Sequence, residues 1–227
     1  MPDLPQIYAD NIESWLPQLL EACVGTLRLA AVSFVLAVLV GLVMALARTA
    51  RSRVLRSAAA CYIEVARGLP ALVILYIVYY VPPQMFPGER WMALPAFVAA
   101  VVGLAIQGGA ILAEVFRSGI EALHKGQSEA ALSLGMTPAK TMAYIILPQA
   151  LRIVLPPVGN YAIGLLKDTS VCALIAAPEL MLRAKDLASS DFEPMAVFLL
   201  AAALYFAMSY PLSLGVRYME ARLSRHR

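Results

Sequence analysis

Five stretches of the chain are apolar enough, and poor enough in charge, to cross a membrane as helices. They cover residues 29–47, 58–81, 91–113, 141–166 and 194–216. The first has no charged residue and would reach roughly 28 Å as an α-helix, close to the thickness of a bilayer core. Apolar residues run on without the alternation that a membrane barrel requires. The pattern therefore predicts an all-α membrane protein with five transmembrane helices.

Composition strengthens this prediction, because 61% of the residues are hydrophobic and 15% are charged. A soluble domain carries about 25% charged residues. The three cysteines lie in or beside apolar stretches, and the two histidines, His124 and His226, are isolated. Neither residue type has metal-ligand spacing, so we expect no metal site. The N-terminus lacks a basic region followed by an apolar core, so we expect no cleavable signal peptide.

The basic residues predict the orientation, since cytoplasmic connections are rich in Lys and Arg. They follow the first stretch, the third stretch and the last stretch: Arg48, Arg51, Arg53, Arg56; Arg117, Lys125, Lys140; Arg217, Arg222, Arg225, Arg227. The loops at residues 82–90 and 168–193 are poorer in net positive charge. We therefore predict an external N-terminal segment (1–20), one membrane domain (21–222) and a basic cytoplasmic tail (223–227).

The connection between the third and fourth stretches predicts a short extra helix. Ser128 is its expected N-cap, with Glu129 favourably placed in the first turn. Gly135 suits the left-handed position that ends a helix. Thr137 then caps a following helix that has Pro138 at its first position. The apolar side chains of the short helix either pack under the bundle or insert into a groove of a partner protein.

This connection resembles a loop shared by the permeases of type I ABC importers. The matching features are Glu129-Ala130-Ala131, a glycine at position 135, and the downstream pair Leu147-Pro148. Further segments resemble the polar amino acid branch, the histidine, glutamine and arginine permeases: Glu64-Val65-Ala66-Arg67-Gly68, Ala113-Glu114-Val115-Phe116-Arg117, Gly159-Asn160 and Leu166-Lys167-Asp168-Thr169-Ser170. The resemblance covers residues 20–222 approximately.

The resemblance implies a transport subunit and not an enzyme. The short helix would dock on an ATPase subunit through Gly126, Glu129, Ala130, Ala131, Leu134 and Gly135. The expected partners are a second permease subunit (identical or homologous), two ATPase subunits, an external solute-binding protein and the lipid bilayer of a bacterial cytoplasmic membrane, with no nucleic acid. The chain has no Gly-rich phosphate loop. ATP and Mg are therefore expected on the ATPase partner, and no cofactor is expected on this chain.

Two pairs of opposite charges lie near the ends of the apolar stretches. Glu64 and Arg67 are three residues apart, as are Glu114 and Arg117. This spacing places each pair on one helix face, where an ion pair can form. Ionisable groups at membrane depth usually face a partner or a cavity. We predict that both pairs are structural, with a role in gating as the alternative.

The predicted substrate path comprises Leu69, Ile74, Gln107, Asn160, Asp168, Thr169 and Ser170. Asp168 either pairs with Lys167 at the membrane interface or, as the resemblance implies, meets the ammonium group of an amino acid. Gln107 either faces a cavity or donates to a neighbouring helix. The fourth stretch contains Pro148, Pro156 and Pro157, and such interrupted helices often line a wet cavity.

Some positions depart from the family pattern. Leu69 stands where a small hydroxyl residue is usual, and Ile74 replaces a frequent glutamine. Either the solute is less polar than arginine, or this chain is the partner half of a heterodimer. The alternatives to amino acid transport are a methionine or organic amine branch and a non-transporting structural subunit. An intramembrane hydrolase is disfavoured, because no apolar stretch contains a histidine.

Overall fold

The computed structural model describes residues 3–89, 92–123 and 125–224, except for the side chains at 125, 128 and 224, and the regular structure in these ranges is helical. The α-helices are α1 Leu4–Arg48, α2 Arg53–Gly68, α3 Ala71–Met85, α4 Ala96–Glu121, α5 Lys125–Ser133, α6 Pro138–Thr141, α7 Leu147–Asp168, α8 Leu180–Ser190 and α9 Pro194–Ser224. A π turn, Met142–Ile146, precedes α7, and a 3-10 helix, Thr169–Ile175, follows it.

The predicted helical membrane fold is confirmed. Four helical segments of the described residues are long and apolar enough to span a bilayer: Leu4–Arg48, Ala96–Glu121, Pro138–Ile175 and Pro194–Leu223. The predicted fifth span exists only if α2 and α3 together form one broken span, because these helices are bent by 107° relative to each other. Trp91, where the third span was predicted to begin, lies outside the described residues.

The prediction of one continuous helix over residues 58–81 is wrong. The chain breaks at Leu69, whose backbone is extended (φ −98°, ψ 141°), and Pro70 is the N-cap of α3. A proline disfavours helical geometry at the preceding residue and cannot donate a backbone hydrogen bond. The apolar pattern continues through this point, so composition alone hides the bend.

One hydrophobic core joins the first half of α1 to α8 and α9. Trp15 and Leu19 of α1 are fully buried with Leu180 of α8 and Val197 of α9. The Trp15 indole N–H donates to Asp191 at 2.5 Å. The helix α8 lies in the segment that was predicted to be a loop, and α1 runs unbroken through residue 20. Burial against each other explains why both segments are ordered as helices.

A second core joins the middle of the chain and depends on close approach of α1 to α4. Its buried residues include Leu29, Leu75, Leu104, Leu165 and Ile175. At Gly109 of α4 an added Cβ would lie 2.4 Å from a methyl carbon of Val40. Small residues allow such contact between membrane helices.

Candidate functional site

The short helix α5 lies between α4 and α6, as predicted, but it begins earlier than predicted. Its first residue is Lys125, so Ser128 lies inside the helix and is not the N-cap. Gly126 destabilises a helix by about 1 kcal/mol relative to alanine, so helix propensity alone favours a start after Gly126. The next residue, Gln127, is tied to α7 by a side-chain hydrogen bond, and this tertiary contact accompanies the longer helix.

The end of α5 is formed as the sequence predicts. Gly135 has a φ of 81°, the left-handed region that favours glycine. The Gly135 N–H donates to the carbonyl of Leu132 at 2.9 Å, and the Met136 N–H donates to that of Ala131 at 3.1 Å. The Thr137 hydroxyl then accepts from the Lys140 N–H at 3.4 Å, which confirms the cap of the following helix. The turn thus holds α5 in a defined direction relative to α6.

The apolar side chains of α5, and of Leu134 directly after it, are divided between packing and exposure. Ala131 is buried, with 5% of its surface exposed, whereas Leu132 is 46% exposed and Leu134 is 84% exposed. The other residues predicted to contact an ATPase, Gly126, Glu129, Ala130 and Gly135, are also exposed. One side of α5 therefore anchors the helix, and the rest of it leaves apolar surface uncovered in this chain.

Gln149 connects α5 to the start of α7. Its amide donates to the Gln127 side chain on α5 and to the Ile145 carbonyl in the π turn, the latter at 2.8 Å. The π turn lies just before Pro148, whose ring would clash with the carbonyl four residues earlier in a regular helix. These bonds therefore connect α5 directly to the beginning of a spanning segment.

The two predicted ion pairs have different outcomes. Arg117 contacts Glu114 at 2.7 Å and also pairs with Glu121. Glu64 and Arg67 are both exposed, and in the described part of the chain they are not paired with each other, so that prediction is wrong. An isolated exposed pair gains almost nothing over hydration, whereas Arg117 has two carboxylates to hold it.

Two of the predicted path residues meet at the bend between α2 and α3. The Gln107 amide donates to the Leu69 carbonyl at 3.4 Å, so Gln107 bonds to a neighbouring element. Nearby, the Tyr62 hydroxyl donates to the Ile106 carbonyl at 2.6 Å. These bonds tie the bend to α4. Ile74 is buried in the core of this chain, with 5% of its surface exposed.

The remaining predicted path residues lie along α7 and its end. Asp168 is exposed and does not form an ion pair with Lys167 among the described residues. Thr169 is fully buried, and its hydroxyl donates to the Leu166 carbonyl at 2.7 Å. Asn160 is exposed and donates to Glu220 of α9 at 3.2 Å. These contacts make Thr169 and Asn160 part of the packing of α7.

A cavity of 560 Å³ lies between α7, the 3-10 helix and α9. Of the predicted path residues it includes Ser170, beside Lys167. Its wall on α9 contains Tyr205, Ser209 and Ser213, and also Phe206 and Tyr210, whose rings stack at 5.3 Å. The structure therefore does not gather all the predicted residues in this cavity. The α9 wall was missed, although Tyr205, Ser209 and Ser213 recur every fourth residue on one helix face.

Glu179 is a buried acidic residue that was not among the site residues predicted from the sequence. It is 2% exposed and caps α8, accepting from the N–H groups of Met181 at 2.9 Å and Leu182 at 2.6 Å. The Tyr205 hydroxyl on α9 donates to it at 2.5 Å. Burial raises the Glu179 pKa, and these three hydrogen bonds oppose the rise. Glu179 thus joins α8 to the cavity wall on α9.

Comparisons with known proteins agree with this arrangement. Residues 37–225 match the family described as the inner membrane component of binding-protein-dependent transport systems. The chain is 39% identical over 197 residues to the probable amino-acid ABC transporter permease protein YckA of Bacillus subtilis, covering 87% of this chain and 84% of that relative. It is 34% identical to the probable glutamine ABC transporter permease protein GlnM of the same species, covering 96% and 97%.

A solved structure has the same fold. The crystal structure of an amino acid ABC transporter with histidines superposes with a TM-score of 0.88 at 34% identity, covering 98% of this chain and 99% of that one. The superposition extends over nearly the whole of both chains. The bent pair α2–α3 and the short helix α5 are therefore parts of a fold that this chain shares with a solved transporter.

Proposed function

Because the chain belongs to the family of inner membrane components of binding-protein-dependent transport systems, as the permease subunit of an amino-acid ABC transporter, we propose that α5 is the contact through which a separate ATPase drives it. It is a multi-pass membrane protein and a transport component, not an enzyme. We place it in the cytoplasmic (inner) membrane of a bacterium.

The uncovered apolar surface at the end of α5 is the observation that carries the proposal. Leu134 is the most exposed of its large apolar side chains, at 84%. Exposed leucines on a short, well-terminated helix suit insertion into a groove of another protein. The contact comprises Gly126, Glu129, Ala130, Ala131, Leu134 and Gly135. Ala131 supports the contact indirectly, because it is buried and packs α5 against the rest of this chain.

The assembly we propose contains a second permease subunit, two ATPase subunits and an external solute-binding protein. ATP and Mg bind to the ATPases. Closure of the ATPases moves α5, and the bond between Gln127 and Gln149 passes that motion to the π turn and α7. The permease then alternates its opening between the two faces of the membrane.

The proposed solute is an amino acid or a related small polar molecule. Lys167 and Ser170 line the 560 Å³ cavity, and a lysine ammonium there complements a carboxylate. Exposed Asp168, at the end of α7, complements an ammonium group. Leu69 and Gln107 act at the bend, where they couple α3 to α4. The stacked Phe206 and Tyr210 favour a solute with some apolar surface.

Leu134→Asp tests the ATPase contact. We expect it to weaken co-purification of the ATPase subunits and to lower uptake by about tenfold or more, because a carboxylate cannot enter an apolar groove without a partner. Val54→Asp is the matched control, since Val54 is 80% exposed and lies outside α5. Normal uptake by Leu134→Asp, or equal losses in both variants, would contradict the proposal.

A solute screen tests the other half of the proposal separately. Thermal shift of the external binding protein with individual amino acids, organic amines and methionine should single out its ligand. That ligand should then compete for uptake in vesicles that contain the whole transporter. If the best ligand is an organic amine without a carboxylate, the proposed contact between Lys167 and a solute carboxylate is wrong.

A further inference from the structure

A second cavity, of 810 Å³, lies between α1, the start of α4 and the beginning of α8. Its walls include Val24 and Phe97 and five ionisable side chains: Glu21, Arg28, Glu179, Arg183 and Asp186. Three of them are acidic and two are basic, but Glu179 is only 2% exposed and already accepts three hydrogen bonds within the chain, so it is not available to a ligand. We propose that this cavity binds the head group of a membrane phospholipid that carries both a phosphate and an ammonium group.

The position of Arg28 along α1 sets the depth of the cavity in the membrane. The uncharged residues 29–47 begin directly after Arg28 and span roughly 28 Å as a helix, the hydrocarbon thickness of a bilayer. Arg28 therefore lies at one edge of the hydrocarbon region, at the level of the head groups. A guanidinium binds phosphate oxygens in a bidentate manner.

Arg28 and Glu21 are both available for a ligand. They are seven residues apart, two helical turns, and so face the same side of α1. Both are exposed, and neither takes part in the ion pairs formed among the described residues. The other arginine, Arg183, is already held by Gln18 and lies 3.9 Å from Asp186. Arg28 is thus the cation left for a phosphate, and Glu21 is the carboxylate left for an ammonium group.

The apolar surface next to Arg28 suits the acyl chains of the same lipid. On the face of α1 below Arg28, Val35, Leu39, Leu42 and Leu46 recur at helical spacing and are between 47% and 62% exposed. Head-group charges at one end and a continuous apolar stripe at the other match a phospholipid better than a free solute. The inference does not depend on the role proposed for α5.

Native mass spectrometry of the complete transporter, titrated with defined lipids, tests the proposal. Phosphatidylethanolamine should remain bound, phosphatidylglycerol should bind more weakly because it lacks the ammonium group, and diacylglycerol should not compete. Arg28→Ala should lower phosphatidylethanolamine binding by about tenfold, the loss expected for a charge-assisted contact. Arg53→Ala removes an exposed arginine that does not line the cavity and should leave this binding unchanged.

Two further variants separate a lipid site from a general effect of charge or folding. Val24→Trp should lower the binding by filling the cavity without changing its charge, and Val24 is exposed enough to tolerate the change. Glu21→Gln should abolish the preference for phosphatidylethanolamine over phosphatidylglycerol. Unchanged lipid binding in Arg28→Ala, or displacement of the lipid by soluble phosphoethanolamine, inorganic phosphate or glutamine at equal concentration, would overturn the proposal.

Discussion

Glu179 is a single buried carboxylate that holds α8 and α9 together. Replacing it with alanine leaves the N–H groups of Met181 and Leu182 and the Tyr205 hydroxyl without their acceptor. We expect Glu179→Ala to lower the free energy of unfolding by about 2–4 kcal/mol, measured by thermal denaturation in detergent. Glu13→Ala, at an exposed glutamate of α1, is the control and should change it by less than about 0.5 kcal/mol.

The raised pKa of Glu179 predicts a specific dependence on pH. Burial is the main cause, so the folded state favours the protonated form more than the unfolded state does. The stability that the folded protein gains from holding Glu179 protonated is therefore complete below the ordinary glutamate pKa, about 4.3. That gain is lost as pH rises through the higher pKa of the folded state. We expect the melting temperature of the wild type to fall relative to Glu179→Gln over this range. A constant difference between the two proteins would show that the burial has no such effect.

Residue spacing predicted one ion pair correctly and one incorrectly. Glu114–Arg117 and Glu64–Arg67 have the same three-residue spacing, but only Arg117 has a second acid, Glu121, one turn further on. Spacing shows which side chains can meet. It does not show whether a contact outweighs the hydration of two exposed groups, and this explains the difference between the two pairs.

At the scale of elements, the approach of α1 to α4 depends on glycines. We expect Gly109→Ala to lower the free energy of unfolding by about 1–3 kcal/mol, because the new methyl group would overlap Val40. Gly164→Ala in α7 is the matched control, since no atom lies within 4 Å of an added Cβ there. Alanine should there be neutral or stabilising by up to about 1 kcal/mol. Equal melting temperatures for the two variants would contradict close packing at Gly109.

The elements were predictable where local sequence decides them. Gly135, Thr137 and Pro138 each form the local structure expected of them. The helix α8 was missed although Leu180, Ala184, Leu187 and Ala188 have helical spacing, because the acidic and basic residues between them resemble a loop. Pro70 explains why the helix breaks at Leu69, but its presence does not predict the 107° angle between α2 and α3.

At the scale of the whole molecule, the 560 Å³ cavity joins parts of the chain that are distant in sequence. Lys167 and Ser170 precede α8, whereas Tyr205 and Ser209 follow it. Apolar periodicity predicts the spans, but their mutual rotation decides which polar side chains face one another. The sequence therefore predicted the family and the α5 region, while the cavity wall on α9 and the cavity around Arg28 required the packed structure.

The bond between α5 and α7 leads to a prediction about the whole transport cycle. Gln149→Leu removes the bonds to Gln127 and to the π turn. If α5 transmits motion through this bond, solute uptake per ATP hydrolysed should fall about fivefold, the size of a coupling energy near 1 kcal/mol. ATPase association should persist, because the apolar surface at Leu134 is unchanged. Both quantities are measurable in vesicles that contain the complete transporter.

Two comparisons show whether the bond itself is responsible. Gln127→Ala removes the α5 partner and leaves Gln149 bonded to Ile145, so it should lower the uptake-to-ATP ratio to a similar extent. Gln84→Leu makes the same chemical change as Gln149→Leu at an exposed position in α3 and should leave the ratio unchanged. A loss in Gln149→Leu without one in Gln127→Ala would assign the effect to the π turn, since that contact alone distinguishes the two variants. Transmission through the link from α5 would then be wrong, whereas matching losses would show that α5 and the start of α7 move as one unit.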